Sequence, residues 1–283
     1  MPNSPPIAPI APTAKLPSPS LAVRSIELTR PLHWLTLAWR DMRRCGWISY
    51  MHGLAMALAG VVMLTVGRSH FWFMAGAFSG FLLVAPILAT SLYALSRGLE
   101  RGEKASVAVV LKTWLNWHHQ QFNKWGDSHW SLAQFGVLLA LAGTAWVLFS
   151  AALITLLAPA PITTPMLFIE HVVLARNGFL FELWLALGGI LVAPIFASTV
   201  ITIPLLLDRQ VSIREAVAAS WQVILVNPVP MAFWGAIIMG LTLLGFSLAL
   251  LGLVLVVPLL GHASWHAYRE LVDADGLPRR EQH

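Results

Sequence analysis

The stretch MAFWGAIIMGLTLLGFSLALLGLVLVVPLLGHASWHAY, Met231 to Tyr268, decides how often this chain crosses a membrane. It runs for 38 residues without a charged side chain. As one straight helix it would measure about 57 Å at about 1.5 Å per residue, nearly twice the roughly 30 Å hydrocarbon core of a bilayer. Two helices, 231–248 and 250–268, joined by a tight turn near Gly245–Gly252, suit the length better.

Working backwards from this stretch, four more segments are free of charge over a bilayer's width: 47–66, 71–95, 130–157 and 183–207. Breakers bound them, among them Pro159-Ala160-Pro161 after the third and Asp208-Arg209 after the fourth. The composition agrees, with 57% hydrophobic and only 11% charged residues, against about 25% charged in a typical soluble domain. The expected fold is therefore an all-α membrane protein, with six transmembrane helices arranged as three helical hairpins. Domain 28–273 holds the spans, between a Pro-rich, disordered N-terminal tail at 1–27 and a C-terminal tail at 274–283.

Loop charge gives an independent check, because short cytoplasmic loops collect Lys and Arg. With six spans, Arg68 and Arg176 fall on one side and the other 16 of the 18 basic residues on the opposite side. Both termini are expected in the cytoplasm. A five-span chain would export Arg269, Arg279 and Arg280.

Each odd span follows an amphipathic stretch expected to lie in the headgroup plane on the cytoplasmic side. Leu32, Leu35, Trp39 and Met42 fall at helical spacing, with Arg40, Arg43 and Arg44 on other faces and suited to anionic lipid. Val107, Val110, Leu111 and Trp114 begin a second such helix. Ser212-Ile213-Arg214-Glu215 reads as a capping box opening a third, through Val217, Trp221 and Ile224. The even spans share a motif: Leu83-Val84-Ala85-Pro86-Ile87 repeats as Leu191-Val192-Ala193-Pro194-Ile195, with a looser copy around Pro258. These prolines are either hinges beside a pathway or the ordinary prolines of membrane helices. Gly76 and Gly80 add a GxxxG packing signal.

Several motifs together carry a family resemblance. They are Arg30-Pro31-Leu32-His33-Trp34-Leu35 with Trp39-Arg40-Asp41, Leu82-Leu83-Val84-Ala85-Pro86 running into Tyr93-Ala94-Leu95-Ser96-Arg97, Pro204-Leu205-Leu206-Leu207-Asp208-Arg209, Asn227-Pro228, and Gly261-His262-Ala263-Ser264-Trp265-His266-Ala267-Tyr268-Arg269. Across roughly 28–273 the chain resembles the bacterial integral membrane proteins catalogued as domain of unknown function 2189. The resemblance implies a multi-pass protein of the bacterial inner membrane whose activity is unassigned.

The residues themselves offer little chemistry. His262 and His266, four apart, share one helix face and could ligate a metal, as haem or copper, with His52 near them. Alternatively they join Trp265 and Tyr268 in an interfacial belt. His118 and His119, being adjacent, point apart and make a poor chelate. Asp41 is expected to pair with Arg44, and Asp208 to mark the exit of the fourth span. The single cysteine, Cys45, excludes an internal disulfide and a multi-thiolate zinc site. GxSxG, P-loop and dinucleotide motifs are missing from the sequence, so the expectation is a protein that is not an enzyme, with no cofactor and no nucleic-acid partner. The function expected is a scaffold, assembly or accessory protein for membrane-protein partners. The alternative is a transporter or permease for a small or lipid-like solute.

Overall fold

A computed structural model describes residues 21–67, 72–74, 76–77, 89–119, 130–175 and 179–280. Helices α1 (Arg30–Cys45) and α2 (Trp47–Gly67) are followed by α3 (Thr90–Glu100), α4 (Val107–His119) and α5 (Trp130–Leu157). Then come the short α6 (Pro165–Phe168), continued by a π-helical turn at Ile169–Val173, and α7 (Leu180–Thr199), α8 (Thr202–Asp208), α9 (Ile213–Val226), α10 (Pro228–Ser247) and α11 (Leu253–Leu271). Among the described residues a two-stranded ribbon, β1 (Ala22–Val23) against β2 (Val272–Asp273), runs antiparallel and pairs Ala22 with Asp273.

Four helical stretches among the described residues are long and apolar enough to cross a bilayer: Trp47–Val66, Gln134–Leu157, Leu180–Asp208 and Pro228–Ser247. Much of their surface is bare apolar side chain, including Leu58, Val62, Leu138, Leu148, Ile190 and Leu243. A water-facing protein rarely tolerates contiguous apolar surface on this scale, whereas lipid solvates it at no cost. The expected second span and its Pro86, together with the GxxxG at Gly76 and Gly80, lie largely or wholly outside the described residues.

The turn expected in the 231–268 stretch is present between α10 and α11. The chain reverses at 248–252, where Ala249 and Leu250 take positive φ values of 51° and 67°. Gly252 makes the reversal possible, since a Cβ there would lie 2.8 Å from the Cα of Gly245. The second half of α11 departs from a lipid-facing span. It carries His262, His266, Arg269 and Glu270, and Gly261, His262, Trp265, His266 and Tyr268 are buried in protein.

Helix α11 is the centre of the packing, touching α1, α2, α3 and α10. It meets α2 so closely at Gly53 that a Cβ there would lie 2.5 Å from the carbonyl oxygens of Leu253 and Val254. Trp34, Trp234, Trp265 and Tyr268 fill the adjoining core, with Trp34 edge-on to Trp234 at 5.4 Å between ring centroids.

The structure adds three details to the sequence reading. Helix α1 buries Pro31, Trp34, Ala38, Asp41, Met42 and Cys45 against the protein, so Leu32 (48% exposed) and Trp39 (43%) lie outside that stripe. The N-terminal tail ends before residue 27, because Ala22–Val23 joins the ribbon and the Ile26 amide donates to Asn227 Oδ1 at 2.8 Å. The C-terminal tail is docked through 280: the Arg280 amide donates to the Asp208 carbonyl at 2.9 Å and Ala274 is buried.

The prolines also behave differently from the hinge reading. Helices α7 and α11 continue through Pro194 and Pro258. The interruption falls at Val200–Ile201, four residues before Pro204, whose ring and missing N–H exclude a helical bond to the Val200 carbonyl. The capping box is present: Glu215 N donates to Ser212 Oγ at 3.3 Å and Ser212 N to Glu215 Oε2 at 2.8 Å.

Substituting Gly53 with Ala is expected to force α2 off the α11 backbone at a cost of about 1–3 kcal/mol. Gly189→Ala, where a Cβ meets nothing within 4 Å, is the matched control. Thermal unfolding in detergent should show a lowered midpoint for the first and none for the second.

Candidate functional site

Of the residues that the sequence singled out for chemistry, His52, His262, His266 and Asp41 meet at one end of the bundle, the end bearing α1. Asp41, on the buried stripe of α1, is 3% exposed. A carboxylate removed from water must be hydrogen-bonded or paired, and Asp41 pairs with His266 rather than with Arg44. Asp41 Oδ2 accepts from His266 Nε2 at 2.8 Å and from Ser96 Oγ at 2.9 Å.

These contacts order the rest of the cluster. Ser96 has one proton and donates it to Asp41, so at its 2.7 Å contact with His262 the serine oxygen accepts from Nδ1–H. A neutral His262 ring then presents Nε2 as an acceptor, and Ser49 Oγ–H donates to it at 2.9 Å. A continuous chain runs Ser49, His262, Ser96, Asp41, with His266 entering from the far side. It joins α2, α11, α3 and α1. Beside it, His52 Nδ1–H donates to the Ile48 carbonyl at 2.8 Å, which leaves Nε2 to accept from Ser91 Oγ at 2.8 Å.

Burial works to raise the Asp41 pKa, but the hydrogen bonds from His266 and Ser96 outweigh it and hold the carboxyl below its usual value. Burial pushes the Cys45 thiol, on the same stripe, up to about 11. That thiol is protonated and unreactive at neutral pH.

Two acidic residues on other elements complete this end. Asp208 is not a solvent-facing boundary charge. It is buried, and its Oδ2 accepts from Arg209 Nε at 2.9 Å and from the Tyr268 hydroxyl at 2.9 Å. Arg209 also donates to the Leu277 carbonyl at 2.9 Å and to Asp275 at 3.2 Å, tying the C-terminal segment down. Burial opposes its charge, yet the adjoining Asp208 carries the Arg209 pKa above its ordinary value. Glu270 takes hydrogen bonds from Arg30 and from the Trp34 indole, clamping the start of α1 to the end of α11.

His262 and His266 thus come together on one face as the spacing requires, but both ring nitrogens of His262 already bond protein hydroxyls. Among the described residues no group of three or more His, Cys, Asp or Glu side chains is placed to hold a metal ion. The side chains of His118 and His119 lie outside the described residues. Arg40, Arg43 and Arg44 are exposed along α1. Sequence reasoning missed Ser49, Ser91 and Ser96. Ser96 sits inside the Tyr93–Arg97 motif that helped carry the resemblance, whereas nothing local marks Ser49.

Bare apolar helices leading into one buried polar cluster define a helical integral membrane protein. Residues 73–208 match the model of the family described as "Predicted integral membrane protein (DUF2189)", the same family that the sequence motifs resemble. Searches of curated proteins and of solved structures returned no match.

Replacing Asp41 with Ala strands the His266 and Ser96 donors and should cost about 3–5 kcal/mol. Ser96→Ala leaves the His262 N–H without its acceptor and should cost about 1–3 kcal/mol. Reactivity of Cys45 toward a maleimide reads both directly: slow in the native chain, faster in each variant. Asp41 stabilises fully above the ordinary aspartate pKa of about 3.9, and its contribution disappears as the pH falls through the lower native value.

Proposed function

We propose that this chain is a non-enzymatic protein of the bacterial inner membrane that scaffolds, assembles or modulates membrane-protein partners. In this reading it has six spans in three hairpins, with both termini and the α1 end in the cytoplasm. The 16-to-2 division of basic residues supports that orientation. One observation carries the reading: the groups best suited to chemistry, Ser49, His262, Ser96, Asp41 and His266, bond one another in a closed buried chain. Such an arrangement fixes helices and gives a substrate nothing to touch.

The face that α1 turns outward supports the same reading. Exposed Leu32 and Trp39 lie among exposed Arg40, Arg43 and Arg44, the mixture of apolar, indole and cationic groups that suits a headgroup layer. Each cation near an anionic surface adds about 1 kcal/mol of attraction.

The alternative, a permease for a lipid-like solute, draws on a cavity of about 580 Å³ near Pro159 and Pro161, bordered by Trp72, Phe73, Ile154 and Ile162. A photoreactive residue in place of Trp39, activated in native membranes, distinguishes the two. The scaffold reading expects adducts with anionic lipid and with a discrete second membrane protein, reduced several-fold by R40Q/R43Q/R44Q. Absence of any protein adduct, together with solute uptake into proteoliposomes containing the purified chain, would contradict it.

A further inference from the structure

A second feature of the α1 end lies apart from the histidine chain. Helix α3 ends at Glu100 and the chain turns through Gly102, whose φ is +77°, while the Glu103 amide donates back to the Gly98 carbonyl at 2.9 Å. This is the glycine-closed helix end that fixes the following residues in place. The turn and the start of α4 enclose a cavity of about 280 Å³ lined by Ala94, Arg97, Arg101, Glu103, Val109 and Lys112.

Three of these side chains are cationic and one is a carboxylate. Arg97 is the informative one. It is only 5% exposed, and one Nη donates to the Leu207 carbonyl at 2.8 Å. Among the described residues it has no carboxylate within ion-pair distance, and no other hydrogen bond. A guanidinium does not give up its proton, and an unpaired buried cation costs several kcal/mol. Burial and the neighbouring Arg101 both act against its charge, more than Asp208 and Glu103 offset. Arg101 is half turned to Asp208, at 3.8 Å. The site is therefore cationic around one oriented fork with donors to spare, and Ala94 and Val109 add an apolar wall.

We propose that this cavity binds a phosphate group, held by Arg97, Arg101 and Lys112. Two sources share this chemistry, the headgroup of an anionic phospholipid and free inorganic phosphate. The site takes its leaflet from the cytoplasmic orientation argued above, but its binding does not depend on the scaffold reading. It differs from the general attraction of Arg40, Arg43 and Arg44 in being a walled pocket with a buried cation, the arrangement that selects for a particular anion.

The test uses the full chain in a neutral detergent. Thermal unfolding is followed while short-chain phosphatidylglycerol, short-chain phosphatidylcholine or inorganic phosphate is titrated at constant ionic strength. Binding to the native state raises the midpoint. Arg97→Gln also removes the Leu207 contact and could unfold the protein, so the working variant is R101Q/K112Q, whose side chains are more exposed; R40Q/R43Q/R44Q is the control. A lipid headgroup in the pocket predicts a rise with phosphatidylglycerol that exceeds the phosphatidylcholine effect, weakened at least tenfold in R101Q/K112Q and retained in the control. Free phosphate as the ligand predicts the same pattern with inorganic phosphate. No rise with either anion, or a rise that R101Q/K112Q leaves unchanged, would overturn the proposal. Loss of the rise only in R40Q/R43Q/R44Q would also overturn it, leaving the surface attraction of α1 intact.

Discussion

A carboxylate cannot be left alone in a medium of low dielectric constant, and the burial of Asp41 on α1 imposes that condition on its whole end of the molecule. His266 and Ser96 meet it. Once Ser96 donates to Asp41, the tautomer of His262 follows, and with it the role of Ser49 on α2. Single-proton hydroxyls and two-sided imidazoles make such a chain directional, so each bond constrains the next. Asp208 does comparable work a short way along α11, where Tyr268 and Arg209 meet it and the C-terminal segment is drawn in behind them.

The two halves of the molecule therefore obey different physics. In the apolar helices, packing is a matter of shape: Gly53 admits the α11 backbone, and side chains such as Leu148 and Ile190 are left to lipid. Lipid gives helices no hydrophobic reason to associate. At the α1 end, polar groups shut away from water supply directional bonds in its place, and these fix which helices meet and in what register. The cations of the proposed phosphate site, Arg97, Arg101 and Lys112, line a cavity at the α3–α4 turn of this same end.

Much of the fold is legible in the sequence because bilayer thickness and charge are one-dimensional constraints. Four of the expected spans, the reversal inside 231–268 and the Ser212–Glu215 box can all be read locally. What fails is whatever depends on partners distant in the chain. Periodicity identified α1 as amphipathic but not its second, protein-facing stripe through Trp34, Ala38, Asp41 and Cys45, since both the protein and the headgroup layer accept Leu and Trp. Asp41 seemed to belong with Arg44, three residues away, because its true partner lies 225 residues further on. Pro194 drew attention through its repeated motif, while Pro204, in a separate motif, is the residue that interrupts the helix. The His262 and His266 pair was legible as a shared face. The serines that engage it were not, because a lone serine in an apolar helix carries no local signal.

Helix α1 is part of the folded core, locked to α11 through Asp41, and is not a helix merely adsorbed to the membrane surface. Hydrogen exchange of the full chain in lipid nanodiscs tests this most directly. Amides of 34–45 are expected to exchange slowly and in step with those of 262–271. Exchange of 34–45 within seconds, while 262–271 stays protected, would contradict it.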